Sequence, residues 1–283
     1  MVHVKYQRLI GWAVCLLLAL SGCQGPVRPA GQGVLSEGKI TIDEAVAALD
    51  VQYQPMGPVQ ASSRCVLQWL EAEDKVRRES FDAQVRFVPP DKIFFRGDKF
   101  GEIRFGTNEN EFWLRIKAEL DTYWYGTRAQ AQDCPNELLV NPCNLVEAIG
   151  RVEVDTTWEL FHRDGWDWLT LREKGRPVKR VYVNCRDYRI ERVEYFDRQG
   201  QVMAATELSN YTQIGEGVVM PTTIRLITLY KGLEESSAKF DLQGVRRFEP
   251  TPAQMEKLFQ RPGRDGYGTV LRLDEYCNFT QEN

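Results

Sequence analysis

The chain has 283 residues, of which 43% are hydrophobic and 27% charged, enough apolar material for one large domain or two small ones. A net charge of −4 leaves no basic footprint for nucleic acid or an anionic membrane surface, so nucleic acid is excluded as an expected partner. Aromatic residues make up 11%, with 7 Trp and 11 Tyr, a composition that suits pleated, half-buried surfaces and leans the chain towards β structure.

At the N-terminus Lys5 and Arg8 precede an apolar run from Leu9 to Leu20. As a helix that run spans roughly 18 Å, against a hydrocarbon core of about 30 Å, so it is too short to cross a membrane and fits a signal-peptide core. Small residues Ser21 and Gly22 follow, then Cys23. The tetrapeptide "LSGC" resembles a bacterial lipobox. That resemblance implies a signal peptide over 1–22, cleaved before Cys23, whose thiol carries lipid. Stable anchoring takes more than one acyl chain. Residue 24 is Gln, whereas Asp at that place favours inner-membrane retention in enterobacteria. The expected location is therefore the cell envelope, lipid-anchored at the outer membrane and facing the periplasm.

Residues 23–40 are rich in Gly and Pro and read as a flexible tether, averaging roughly 20 Å end to end. Thr41 to Asp50 has a cap residue, acids in the first turn and apolar residues at helical spacing. The period then changes. Phe81, Ala83, Val85 and Phe87 alternate with Asp82, Gln84 and Arg86, which is strand periodicity. The pattern continues to Phe248, broken at Pro89-Pro90-Asp91, at 107–110, at Asp164-Gly165 and at 198–200. About ten short strands joined mostly by hairpins predict a meandering antiparallel sheet. Two more helices are expected. Asn141-Pro142 opens one that ends at Gly150, and Thr251-Pro252 opens one that ends at Pro262-Gly263. These short helices are the natural cover for the sheet's apolar face.

Little in the sequence suggests catalysis. Past residue 22 there is one histidine, His162, so any histidine-based zinc site or Ser-His or Cys-His chemistry must run through it. It precedes Arg163-Asp164-Gly165, a hairpin turn, and reads as a surface residue beside that turn. Nucleophile-elbow, P-loop, dinucleotide-fingerprint and C-x-x-C motifs are absent. Acids are plentiful, but no pair is marked out for a glycosidase. Trp166 and Trp168 share a strand face and read as core or rim packing rather than a sugar platform. No cofactor, metal or catalytic residue is expected. Cys65, Cys134, Cys143, Cys185 and Cys277 remain after Cys15 and Cys23 are set aside. An exported chain permits disulfides, and Cys134 with Cys143 is a possible pair closing a short loop. The odd count leaves at least one thiol free, and the pairing is not legible in the sequence.

Four segments together carry a family resemblance. They are Ser80–Leu114, "NPCNLVEAIG" at 141–150, Arg189–Leu226 with its "YFDRQG" turn and "VVMPTTIRL" strand, and "KFDLQGVRRFEPTPAQMEKLFQRP" ending at Pro262. In this order they resemble the LolA/LolB-like superfamily of lipoprotein-sorting and lipid-carrier proteins, especially its lipid-anchored members. The resemblance implies a mainly β fold, an incomplete barrel of about 10–11 antiparallel strands over 41–262 with short helices on the concave face. The segment 263–283 is then an extension that adds an edge strand. It also implies no enzyme, but a hollow that takes up acyl chains of a lipid or lipoprotein at about 0.8 kcal/mol per buried CH₂. Strand alternation nominates Phe81, Val85, Phe87, Phe94, Trp113, Ile116, Trp158, Leu160 and Tyr195 as its lining, with each entry sensitive to a one-residue register shift. The competing expectation is a structural lipoprotein that offers the same fold to envelope protein partners. A carboxylate-based envelope hydrolase ranks third.

Overall fold

The computed structural model describes residues 36–53, 56–70, 75–98, 102–117, 120–133, 145, 147–149, 151–215, 217–230 and 232–282. The expected signal peptide, Cys23 and most of the expected tether lie outside the described residues. Ser36–Asn283 forms one compact unit.

Among the described residues fifteen strands make one sheet. The first meander is β1 (Val59–Leu70), β2 (Val76–Val88), β3 (Lys92–Asp98), β4 (Glu102–Thr107), β5 (Glu111–Ile116) and β6 (Thr122–Thr127). The second is β7 (Glu159–Arg163), β8 (Trp166–Glu173), β9 (Arg176–Asn184), β10 (Arg189–Phe196), β11 (Val202–Gly215), β12 (Val218–Tyr230) and β13 (Leu233–Arg247). β14 (Thr269–Leu273) and β15 (Phe279–Gln281) follow. The spatial order is β15-β14-β6-β5-β4-β3-β2-β1-β13-β12-β11-β10-β9-β8-β7. The two meanders therefore join where β1 pairs antiparallel with β13, as Cys65 opposite Phe240. β14 lies parallel to β6 and pairs antiparallel with β15. Among the described residues β7 and β15 are the edges of the sheet, and it is not closed into a true barrel, which agrees with the expected incomplete barrel. The strand count exceeds the expected ten or eleven over 41–262, where thirteen form, and β14 and β15 add two more beyond it.

Cross-strand partners share a face, so the register traces each face across the sheet. One face carries Phe105 opposite Leu114, Phe95 opposite Phe105, and Val85 opposite Phe95. It continues through Cys65 opposite Phe81 and Phe240, and Phe240 opposite Ile224. Beyond β11 it runs through Thr206, Val193, Val181, Leu169 and Leu160. This is the inner face, because the main core forms on it.

Three helices are described: α1 (Ile42–Tyr53), α2 (Arg128–Asp133) and α3 (Pro252–Phe259). α1 buries Ala45 and Leu49, one helical turn apart, in the main core. Leu145, Ala148, Ile149 and Val152 join it there. Leu145 and Glu147 are helical, and the rest of the expected 141–150 helix lies outside the described residues apart from the turn at 148–149. α3 starts at a full capping box, in which Thr251 and Gln254 satisfy each other's backbone N–H groups. It packs over β3 and β4.

Candidate functional site

The inner face ends in two different environments. Antiparallel order places the ends of β1, β3, β5 and β12 and the starts of β2, β4, β6 and β13 along one rim. Towards this rim lies a second apolar cluster, which meets the main core through Leu67, Phe95 and Phe240. Its buried members are Cys65, Phe81 and Ala83, with Leu67, Phe95, Ile103 and Phe240 partly buried around them. The rings meet edge to face, Phe81 to Phe95 at 6.2 Å and Phe95 to Phe240 at 5.7 Å. Gly97 belongs to this cluster by necessity, since a Cβ there would lie 2.5 Å from the Phe81 ring. Burial pushes the Cys65 thiol up to about 11, and the thiol is free. Leu70, Val76, Leu120 and Leu233 stand exposed along the rim itself.

The nine nominated lining residues fall in several places. Phe87, Trp158 and Tyr195 are buried in the main core, with Val85 and Leu160 packed against it. Phe81 belongs to the second cluster. Ile116, opposite Ile103, is half-buried on the inner face. Phe94 and Trp113 lie on the outer face, each opposite Gly106. Phe94 sits beside the Arg86 guanidinium there. Trp113 is almost wholly buried. Its neighbour on that face, Tyr123, donates a hydrogen bond to the Pro262 carbonyl and contacts the Tyr267 ring. The segment after α3 therefore covers part of the outer face. Trp168, on the same outer face, lies between Phe161 and Tyr182 in an aromatic row, its ring tilted by 55° and 59° to theirs.

At the opposite rim the inner face turns polar. Asp164 and Gly165 both take positive φ, 53° and 78°, making a two-residue turn whose twist suits a hairpin. That turn sets His162 directly opposite Asp167. The β9–β10 turn brings up Cys185 and Tyr188, and Tyr188 holds φ at 56°, an uncommon conformation for a bulky side chain. All four converge. Asp167 is fully buried and its two oxygens are shared out. Oδ2 accepts from the Lys39 backbone N–H at 2.9 Å and from the Tyr188 hydroxyl at 3.0 Å. Oδ1 lies 3.0 Å from His162 Nδ1 and accepts from Cys185 Sγ at 3.4 Å. Cys185 Sγ and His162 Nδ1 are 3.6 Å apart. Burial and the Asp167 charge push the Cys185 thiol up to about 12 and the Tyr188 hydroxyl up as well.

This is not a Cys-His-Asp relay. Such a relay uses one ring nitrogen for the orienting carboxylate and the other for the nucleophile. Here both neighbours face Nδ1, and a thiol held protonated is a poor nucleophile. The pairing of His162 with Asp167 was legible in the Asp-Gly turn; its approach to Cys185 depends on the β8–β9 register and was not. The possible disulfide partners Cys134 and Cys143 lie outside the described residues. Cys277 is disulfide-bonded, and Cys65 and Cys185 are free.

A groove of about 690 Å³ borders the second cluster at Ala83. It is a polar feature lined by Arg64, Asp82, Gln84, Arg96 and Gln243, with Arg64 and Asp82 ion-paired at 3.0 Å.

A half-barrel of this topology has counterparts among solved structures. A LolA superfamily protein from Nitrosomonas europaea superposes with a TM-score of 0.50 at 13% identity, covering 77% of this chain and 97% of its own. The fold is that of the LolA superfamily. A candidate outer membrane lipoprotein-sorting domain from Vibrio parahaemolyticus gives a TM-score of 0.49 at 12% identity, over 76% of this chain and 95% of its own. A DUF1329 family protein from Desulfovibrio piger gives 0.47 at 14%, over 76% and 94%. No family model and no curated protein matches the chain. At such identities the likeness is one of fold.

Proposed function

We propose that the protein is a lipid- or lipoprotein-handling factor of the cell envelope, anchored through Cys23 at the outer membrane and facing the periplasm. The observation that carries this reading is the second apolar cluster. Phe81, Phe95 and Phe240 form an aromatic floor that continues the main core, against which Phe95 and Phe240 also pack, towards a rim fringed by exposed Leu70, Val76 and Leu233. Acyl chains need such a dry apolar surface and no catalytic group, and each buried CH₂ contributes about 0.8 kcal/mol. The LolA-superfamily fold supports the same reading, and so does the lipobox sequence. Non-enzymatic action agrees with the His162 geometry. The proposed ligand is an acyl chain, free or on a lipoprotein, and it enters over Phe95 and Phe240 rather than through the filled main core.

The test places a photo-crosslinking residue at Phe240 or at Trp168 in the full chain, expressed in a bacterial envelope. The inner-face position captures lipid or a lipidated protein, and the outer-face position does not. Equal capture at both positions, or none at Phe240 while Cys23 is acylated, sinks the reading. Capture of an unlipidated envelope protein at Trp168 alone favours the structural alternative, because the Phe161–Trp168–Tyr182 row lies on that face and its Phe161 is exposed.

A further inference from the structure

The polar end of the inner face holds three ligand types of one chemistry within bonding reach of a single point. We propose that His162 Nδ1, Asp167 Oδ1 and Cys185 Sγ bind one Zn²⁺-class divalent cation, with the fourth position open to solvent. This goes beyond the lipid-handling reading and does not depend on it.

Distances carry the argument. Zinc binds thiolate sulfur at about 2.3 Å and imidazole nitrogen and carboxylate oxygen at about 2.0–2.1 Å. Tetrahedral angles then require ligand–ligand edges of about 3.3 Å for N to O, 3.5 Å for S to O and 3.6 Å for S to N. The three edges here are 3.0, 3.4 and 3.6 Å. The triad is already drawn to a size that a tetrahedral ion spans with sub-ångström adjustment. Among the described residues it is also the one cluster of His, Cys and acid side chains close enough for the purpose. A mixed N, O and S set selects a borderline ion such as zinc; calcium and magnesium prefer oxygen alone.

The surroundings are those of a supported site. Tyr188 and the Lys39 backbone occupy Oδ2, which fixes the carboxylate so that Oδ1 is the oxygen presented to the triad. Gly38 packs directly against it, since a Cβ there would lie 2.1 Å from both His162 Nδ1 and Asp167 Oδ1. His162 keeps 39% of its side chain exposed, which gives solvent a route to the fourth position. On binding, the Cys185 thiol gives its proton to solvent, and the neutral imidazole carries its proton on Nε2 so that Nδ1 donates its lone pair to the metal. No electron is transferred. The ion ties the edge hairpin β7–β8 to the β9–β10 turn and, through Gly38 and Lys39, to the segment that leads back to Cys23.

The test uses the purified full chain, stripped with a chelator and titrated with Co²⁺ and then Zn²⁺. One equivalent of Co²⁺ is expected to give a thiolate-to-cobalt charge-transfer band that Zn²⁺ abolishes, and Zn²⁺ is expected to raise the melting temperature. Cys185→Ser and His162→Gln lose the band and the thermal shift, Cys65→Ser keeps both, and Tyr188→Phe weakens binding by about tenfold through the carboxylate it orients. No band in the wild type, or a band that survives Cys185→Ser, overturns the proposal. If Cys185→Ser does not fold, zinc protection of Cys185 against alkylation in the wild type, mapped by peptide mass spectrometry, decides: protection supports the site and unchanged labelling overturns it.

Discussion

The two free thiols sit on one face of one sheet and live in opposite surroundings. Cys65 lies among Phe81, Ala83, Phe95 and Phe240, with Ser63 Oγ 3.5 Å from its sulfur. Cys185 lies against a fully buried carboxylate and an imidazole. The same alternation of side chains that builds the inner face thus delivers a dry end and a polar end. Desolvation is the first cause of the raised thiol pKa at both. What differs is what surrounds them: apolar rings at one end, a charge with four donors at the other. The comparison separates two roles that a half-barrel can hold at once, apolar contact at one rim and polar cross-linking of strands at the other.

The sharpest way to break it is Asp167→Ala. The change strands the Tyr188 hydroxyl, the Lys39 N–H and the Cys185 thiol, so it is expected to cost about 3–5 kcal/mol. Urea unfolding in chelator, followed by tryptophan fluorescence, measures it. A cost under about 1 kcal/mol, the size of an ordinary single hydrogen bond, would mean that the polar end does not anchor the hairpin. Phe81→Ala probes the other end. Its side chain is 94% buried but belongs to a satellite cluster with half-open neighbours, so the surroundings relax more readily than a sealed core. The expected loss is about 2–3 kcal/mol, below the range for a fully enclosed phenylalanine. A loss above about 4 kcal/mol would show a sealed core there and no surface for an acyl chain.

Much of this contrast was legible in the sequence and some was not, for definite reasons. The run Phe81, Ala83, Val85, Phe87 announced a strand with one apolar face, and the register bears that alternation out. Alternation names two faces without saying which is inner. In "KIFF" it is Phe95 that meets Phe105 and Phe81, while Phe94 faces outward beside Arg86. Trp113 is buried on the outer face, where its ring lies over Gly106, and residues far along the chain cover Tyr123 on that side, which no local pattern encodes. His162 read as a turn neighbour. The Asp164-Gly165 loop already implied Asp167 as its cross-strand partner, whereas Cys185 and Tyr188 arrive through the β9–β10 turn and a positive φ at an aromatic residue.

The smallest effect concerns pH and isolates the dry end. The Cys65 thiol titrates near 9.0 when exposed and at about 11 in the folded chain, because burial disfavours its charged form. Below pH 9 both states keep the proton and the group adds no pH dependence. Between pH 9 and about 11 the unfolded chain releases the proton and the folded chain holds it, so folding stability falls as pH rises through that window. Tyr123, Tyr182 and Tyr188 are also shifted upward and titrate in alkali, so the wild type alone does not isolate the thiol. The informative quantity is the difference between wild type and Cys65→Ala in urea midpoint across pH 8 to 11. That difference is expected to move in favour of the variant as pH rises. In parallel, alkylation of Cys65 at pH 8 is expected to be slower in the folded chain than in urea, since both access and thiolate fraction are reduced. A midpoint difference that stays flat with pH would mean that water reaches Cys65, and with it the floor of the aromatic cluster; an acyl chain would then have no dry surface to displace water from.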